Sequence, residues 1–126
     1  MGLDNIPEPY PCVIKGYAKY TDDGRIDCDK TNCPFKKIVH TIGIFGTYCW
    51  LRGQVYNRIV VNATNEKHSL YEPLTVRELK EILEAVKNYR AGNNYEEELR
   101  QELVAYLEVL LGEVGDHKDF ILKPWF

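Results

Sequence analysis

Histidine is scarce in this chain, at His40, His68 and His117 only, and the last 77 residues contain no cysteine. No metal-hydrolase pair, phosphate-binding loop or GxSxG elbow occurs. A nucleophile needs an adjacent base, and Cys49 with His40 is the one combination that offers it. A thiol committed to a metal or a disulfide cannot also attack a substrate, so catalysis is the minor reading. Long apolar runs are missing too: none approaches the roughly 20 residues of a bilayer-spanning helix. The first residues, Met1-Gly2-Leu3-Asp4-Asn5-Ile6, lack the basic start and apolar stretch of a signal peptide. A soluble, cytoplasmic protein with no membrane association is expected.

No repeat or low-complexity segment interrupts the 126 residues, of which 44% are hydrophobic and 28% charged. That length and balance suit one globular domain spanning 1–126. Charge divides it into a mildly basic part, 1–65, and an acidic part, 66–126. From Lys30 to Asn65 there is no acidic residue at all. Within that stretch Lys36, Lys37, Arg52 and Arg58 interleave with aromatic residues including Trp50 and Tyr56, the mixture that contacts phosphates and stacks on bases. Nucleic-acid or nucleotide binding through Lys36, Lys37, Trp50, Arg52, Tyr56 and Arg58 is therefore one expectation. The bland alternative is that the aromatics are core and the cations are solvated. A GxxG spacing at Gly43 and Gly46 encloses apolar Ile44 and Phe45, and reads as turn glycines rather than a backbone clamp.

The cysteines present are Cys12, Cys28, Cys33 and Cys49. Gathering all four into the front of the chain points to one shared site. An intracellular setting disfavours disulfides, so a structural zinc held by four thiolates leads. The spacing lacks a tight Cys-x2-Cys knuckle, and reduced buried thiols, disulfides without a metal, and an iron–sulfur cluster stay open. A closed four-thiolate zinc holds shape and does no chemistry.

Residues Cys12 to Tyr20 are rich in β-formers, and Asp22-Asp23-Gly24 supplies a turn before Arg25 to Cys28, which predicts a β-hairpin bringing Cys12 and Cys28 together. The glycine-punctuated stretch 38–51 and the following 54–61 read as strand or loop. From Thr75 a capping box with Glu78 opens a helix carrying Val76, Leu79, Ile82, Leu83 and Val86 at helical spacing. Ala91 to Asn94 separates it from a second helix with Tyr95, Leu99, Leu103, Tyr106, Leu107, Leu110 and Leu111 as its apolar stripe. Glu96, Glu97 and Glu98 suit the positive end of that helix. The tail after Asp119 has five bulky apolar residues in its last seven, and must fold back onto the core or dock on a partner or second copy.

The motifs Asp4-Asn5-Ile6-Pro7, Tyr10-Pro11-Cys12, Asp23-Gly24-Arg25-Ile26-Asp27-Cys28, Cys33-Pro34 and Gly43-Ile44-Phe45-Gly46-Thr47-Tyr48-Cys49-Trp50 resemble those of small uncharacterised proteins of archaea and their viruses, or of phages. The resemblance covers about the first 55 residues and implies one sulfur site without an activity. The expected fold is α+β: an N-terminal β-hairpin or small sheet, organised by the cysteines, packed on a C-terminal antiparallel helical hairpin. The expected function is a non-enzymatic binding or regulatory module. It would meet a protein partner, or itself, through the helical hairpin and the C-terminal tail.

Overall fold

The computed structural model describes residues 4–38, 48–65 and 71–125, without the side chains of Gln54 and Trp125. Its elements run β1 (Asp4–Glu8), α1 (Pro11–Lys15), α2 (Cys28–Thr31), β2 (Leu51–Arg52), α3 (Gln54–Ala63), β3 (Leu74–Thr75), α4 (Val76–Lys87), α5 (Asn94–Val114) and β4 (Ile121–Trp125). The fold belongs to the mixed α+β class. No helix among the described residues is long and apolar enough to cross a membrane. His40 and the glycines at 43 and 46 lie outside the described residues.

One antiparallel sheet unites the two ends of the chain, in the order β2-β1-β4-β3. The apolar tail is its second central strand, pairing along the whole of β1 from Asp4↔Trp125 to Glu8↔Ile121. Phe120 is 1% exposed and Leu122 is fully buried, so the tail folds back onto its own core. These two apolar side chains are thereby taken into the core and are not offered to a partner. The front and back of the chain are likewise not a β layer and a helical layer, because each contributes two strands to the same sheet.

Two local expectations change. Residues 11–15 are helical, not extended: Pro11 sits at the start of α1, where a missing N–H costs nothing and its fixed φ is helical. Gly16 then ends the helix with a φ of 82°, a left-handed conformation that favours glycine. The hairpin that follows shrinks to the single bridge Tyr20↔Ile26. Thr21 braces its turn by bonding the Asp23 carboxylate and the Arg25 backbone. Cys12 therefore does not face Cys28 across a ladder. Residues 54–63 are also helical rather than strand or loop, with Tyr56, Ile59 and Val60 buried on one side of α3.

The helix α4 starts at the expected capping box, in which Thr75 accepts the Glu78 N–H and Glu78 accepts the Thr75 N–H. Asn93 caps α5 by accepting the Glu96 N–H at 2.8 Å. Arg100, near the start of α5, reaches the carbonyls of Val86 and Lys87 at the end of α4. Lys80, early in α4, pairs with Asp116 just past α5 at 3.4 Å. The two helices thus run antiparallel. The buried face of α5 is Glu96, Leu99, Leu103, Tyr106, Leu107, Leu110 and Val114. Tyr95, expected in that stripe, is 57% exposed, and Glu96 holds the inward position instead.

Candidate sulfur site

Cys12 lies in the first turn of α1 and Cys28 opens α2, whose start is capped by the Asp27 carboxylate accepting the Lys30 N–H at 3.1 Å. Cys33 follows the left-handed Asn32, which ends α2. Cys49 is 5% exposed and immediately precedes Trp50 and β2; the other three cysteines are half-buried. All four are unbridged.

Hydrogen bonds tie the surroundings of these four residues together. Trp50, next to Cys49, donates its indole N–H to the Tyr10 hydroxyl at 2.9 Å, two residues before Cys12. On the other side of Cys49, Tyr48 donates its hydroxyl to Asp29, beside Cys28, at 3.4 Å. The Cys33 N–H reaches the Cys28 carbonyl at 3.4 Å. Lys36 closes the same corner by bonding the Asp29 carbonyl at 3.1 Å. Beneath the cluster, Tyr106 of α5 donates to the Cys49 carbonyl at 2.6 Å, and its ring packs on Phe35 at a centroid distance of 5.1 Å. The long helix therefore anchors the cysteine region from below.

Two of the thiols, Cys12 and Cys33, are acted on electrostatically by neighbouring thiols. Burial pushes the Cys33 thiol up to about 11, with Cys28 and Cys12 adding to the rise. Burial likewise raises Cys12, with Cys28 contributing. Cys28 is raised by burial and by its neighbours Asp29 and Asp27, against a backbone N–H from Tyr48 that favours the thiolate. The Phe35 N–H plays the same part for Cys33. Tyr10 is raised first by burial and then by Cys49, Cys28 and Cys12, while the Trp50 N–H opposes the rise. Among the described residues, no group of three or more His, Cys, Asp or Glu side chains is placed closely enough to hold a metal ion. The segments that carry the cysteines are hydrogen-bonded neighbours, and among the described residues the thiols form no coordination sphere.

Most of the six residues of the expected phosphate-contacting surface are engaged with other groups of the chain. Lys36 pairs with Asp29 at 3.2 Å and lies 6.0 Å from the centre of the Tyr48 ring. Arg52 pairs with Asp4 across the β2–β1 edge at 3.4 Å, and Arg58 approaches Glu96 at 3.9 Å. Trp50 is engaged with Tyr10, and Tyr56 is 3% exposed with its hydroxyl donated to the fully buried Asn5 at 2.8 Å. Lys37 lines a groove of about 370 Å³ with Ile38, Glu98, Gln101, Glu102 and Ala105. A second groove, of about 480 Å³, lies over the α4–α5 connection between Tyr89, Arg90 and Asn94. Neither is lined by a cysteine or a histidine.

Tyr10 and Tyr106, which join the sulfur region to its surroundings, are not among the site residues that the sequence marks. The available signal was proximity to Cys12 for Tyr10 and a tyrosine within a leucine stripe for Tyr106. No protein-family model matches the chain, no curated protein is similar to it, and no solved structure matches its fold.

Proposed function

We propose that the chain is a non-enzymatic binding module whose front half is held in shape by one zinc ion on Cys12, Cys28, Cys33 and Cys49. The observation that carries this reading is the pair of hydrogen bonds Trp50 to Tyr10 and Tyr48 to Asp29, which joins the three stretches of chain that carry the cysteines, the third closed on itself by the Cys33 to Cys28 bond. A structural metal would add its binding free energy to a corner built of short helices and turns. The Tyr48 and Phe35 N–H groups directed at Cys28 and Cys33 suit thiolate ligands, whose charge they share. Seating an ion requires the four sulfurs to draw in to roughly 2.3 Å from it.

The module meets its partner through the outer faces of α4 and α5, where Glu81, Glu84, Glu98 and Glu108 are exposed. The alternative, nucleic-acid binding through the acid-free stretch, draws less support. Tyr56 is in the core, and Lys36, Arg52 and Arg58 each face a carboxylate.

Thermal unfolding of the full chain with and without a strong chelator tests the metal reading. A fall in melting temperature that added zinc reverses supports it, and an unchanged curve removes it. Retention on short RNA and DNA at two salt concentrations separates the alternatives, because phosphate contacts release counterions and weaken steeply as salt rises. The proposal expects no salt-sensitive retention.

A further inference from the structure

We infer that Cys28 and Cys33 form a redox-active pair, joined by a reversible disulfide when the chain meets a small-molecule disulfide such as oxidised glutathione. The inference goes beyond the metal reading above and does not rest on it, since it needs two sulfurs held by one turn of backbone.

These two cysteines are the nearest to each other in the sequence, and the backbone between them is closed on itself. After the short helix α2, Asn32 takes the left-handed conformation, with a φ of 58°. That reversal lets the Asn32 N–H reach the Asp29 carbonyl and the Cys33 N–H reach the Cys28 carbonyl, each at 3.4 Å. Such a nested pair of bonds sets the residue just past a helix end against one in the last turn, and apolar side chains at those two positions commonly touch. Here the two positions hold Cys28 and Cys33. The outer bond keeps their Cα atoms within about 7 Å, a span that a disulfide can bridge. Burial first, and then the Cys28 sulfur, raise the Cys33 thiol, in keeping with that closeness.

The closure is fixed from both sides. Thr31 is 5% exposed and its hydroxyl accepts the Lys19 N–H at 2.9 Å, while Asp27 accepts the Lys30 N–H at 3.1 Å. Pro34 disfavours helical backbone at Cys33 and so keeps the turn from winding on. Two thiols held in this way meet at a high effective concentration. Both are half-buried, within reach of a small reagent, whereas Cys49 is 5% exposed.

The exchange runs in two steps. One thiolate of the pair attacks a sulfur of oxidised glutathione and expels the first glutathione thiolate. The other then attacks the protein sulfur of that mixed disulfide and expels the second. The two electrons lost by the pair reduce the glutathione disulfide, and the two thiol protons end on the two glutathiones. Excess reduced thiol reverses both steps. The state of the pair thus decides whether this corner presents four thiols or two.

Equilibration of the full chain with mixtures of reduced and oxidised glutathione, a strong chelator being present, tests this. Trypsin cuts after Arg25, Lys30 and Lys36, so peptides 26–30 and 31–36 stay together only through the bridge, while Cys12 and Cys49 fall on other peptides. A short loop favours this pairing in an unfolded chain as well, so the decisive reading is the comparison with the same mixtures in concentrated urea. The native chain is expected to bridge Cys28 to Cys33 with an equilibrium constant about tenfold or more above the value in urea. Asn32→Gly, which keeps the left-handed turn, should stay close to the native value. Asn32→Val, whose branched side chain resists that conformation, should fall towards the urea value. Bridges that use Cys12 or Cys49 instead, or a native constant no higher than in urea, overturn the inference. Zinc uptake by the reduced chain, measured without chelator, reads the metal proposal alone, so the two can fail independently.

Discussion

Glu96 shows how a single side chain can leave the role its sequence position suggests. Three consecutive glutamates at the start of α5 read as solvated partners of the helix dipole, yet Glu96 is only 8% exposed. Its carboxylate accepts the Gly92 N–H at 2.9 Å and the Tyr89 hydroxyl at 2.8 Å, with Arg58 nearby, and so pins the α4–α5 connection. Those donors, Gly92 first, hold its pKa below the ordinary carboxylate value. A lowered folded-state pKa stabilises the fold above the unfolded-state value, and that contribution is lost as pH falls through the folded one. The stability gap between the native chain and Glu96→Gln is therefore expected to stay constant near neutrality and to narrow below about pH 4, as measured by urea unfolding across a pH series; a gap independent of pH would contradict the assignment. Tyr106 makes a second residue-scale prediction. Removing its hydroxyl strands the Cys49 carbonyl away from water, so Tyr106→Phe should cost about 1–3 kcal/mol of unfolding free energy. Tyr20→Phe, at a residue that is 54% exposed, should fall within about 0.5 kcal/mol of the unaltered chain.

Among the elements, those with strong caps and long periodic stripes were legible, and those decided by a few residues were not. Thr75 with Glu78 announced α4 because a capping box satisfies two helix-end N–H groups from local sequence alone. In α3, the β-branched run around Ile59 to Val61 suggested a strand. The buried set Tyr56, Ile59 and Val60, with Ala63 partly covered, nonetheless follows the helical period, and packing onto α4 and α5 outweighs a propensity difference of well under 1 kcal/mol per residue. In α1, Pro11 at the first position and Gly16 capping the end override the β-prone Val13 and Ile14. The tail was legible as something that must be buried; its place as a central strand was not, because register depends on β1, which lies more than a hundred residues away in the chain. That placement is testable. Leu122→Ala should cost about 2–5 kcal/mol, as a fully buried leucine does. Lys123→Ala loses only an exposed pair with Glu8 at 3.6 Å and should cost less than about 1 kcal/mol. Equal losses in equilibrium unfolding would place the strand the other way round.

For the molecule as a whole, β1 and β4 clasp the two ends of the chain, while α5 supports the cysteine region through Tyr106 and Phe35. The clustering of cysteines in the first 49 residues is plain in the sequence, and it is the ground on which one shared site is proposed. The route by which the segments meet was hidden, since it runs through Tyr10, Tyr48 and Trp50 rather than through a hairpin ladder. Native mass spectrometry of the freshly purified full chain tests the central claim most directly. The expected result is a folded species carrying a single zinc ion, which Cys12→Ser, Cys28→Ser, Cys33→Ser or Cys49→Ser each loses. A folded, metal-free chain with all four thiols open to alkylation, or one closed by disulfides, would contradict it.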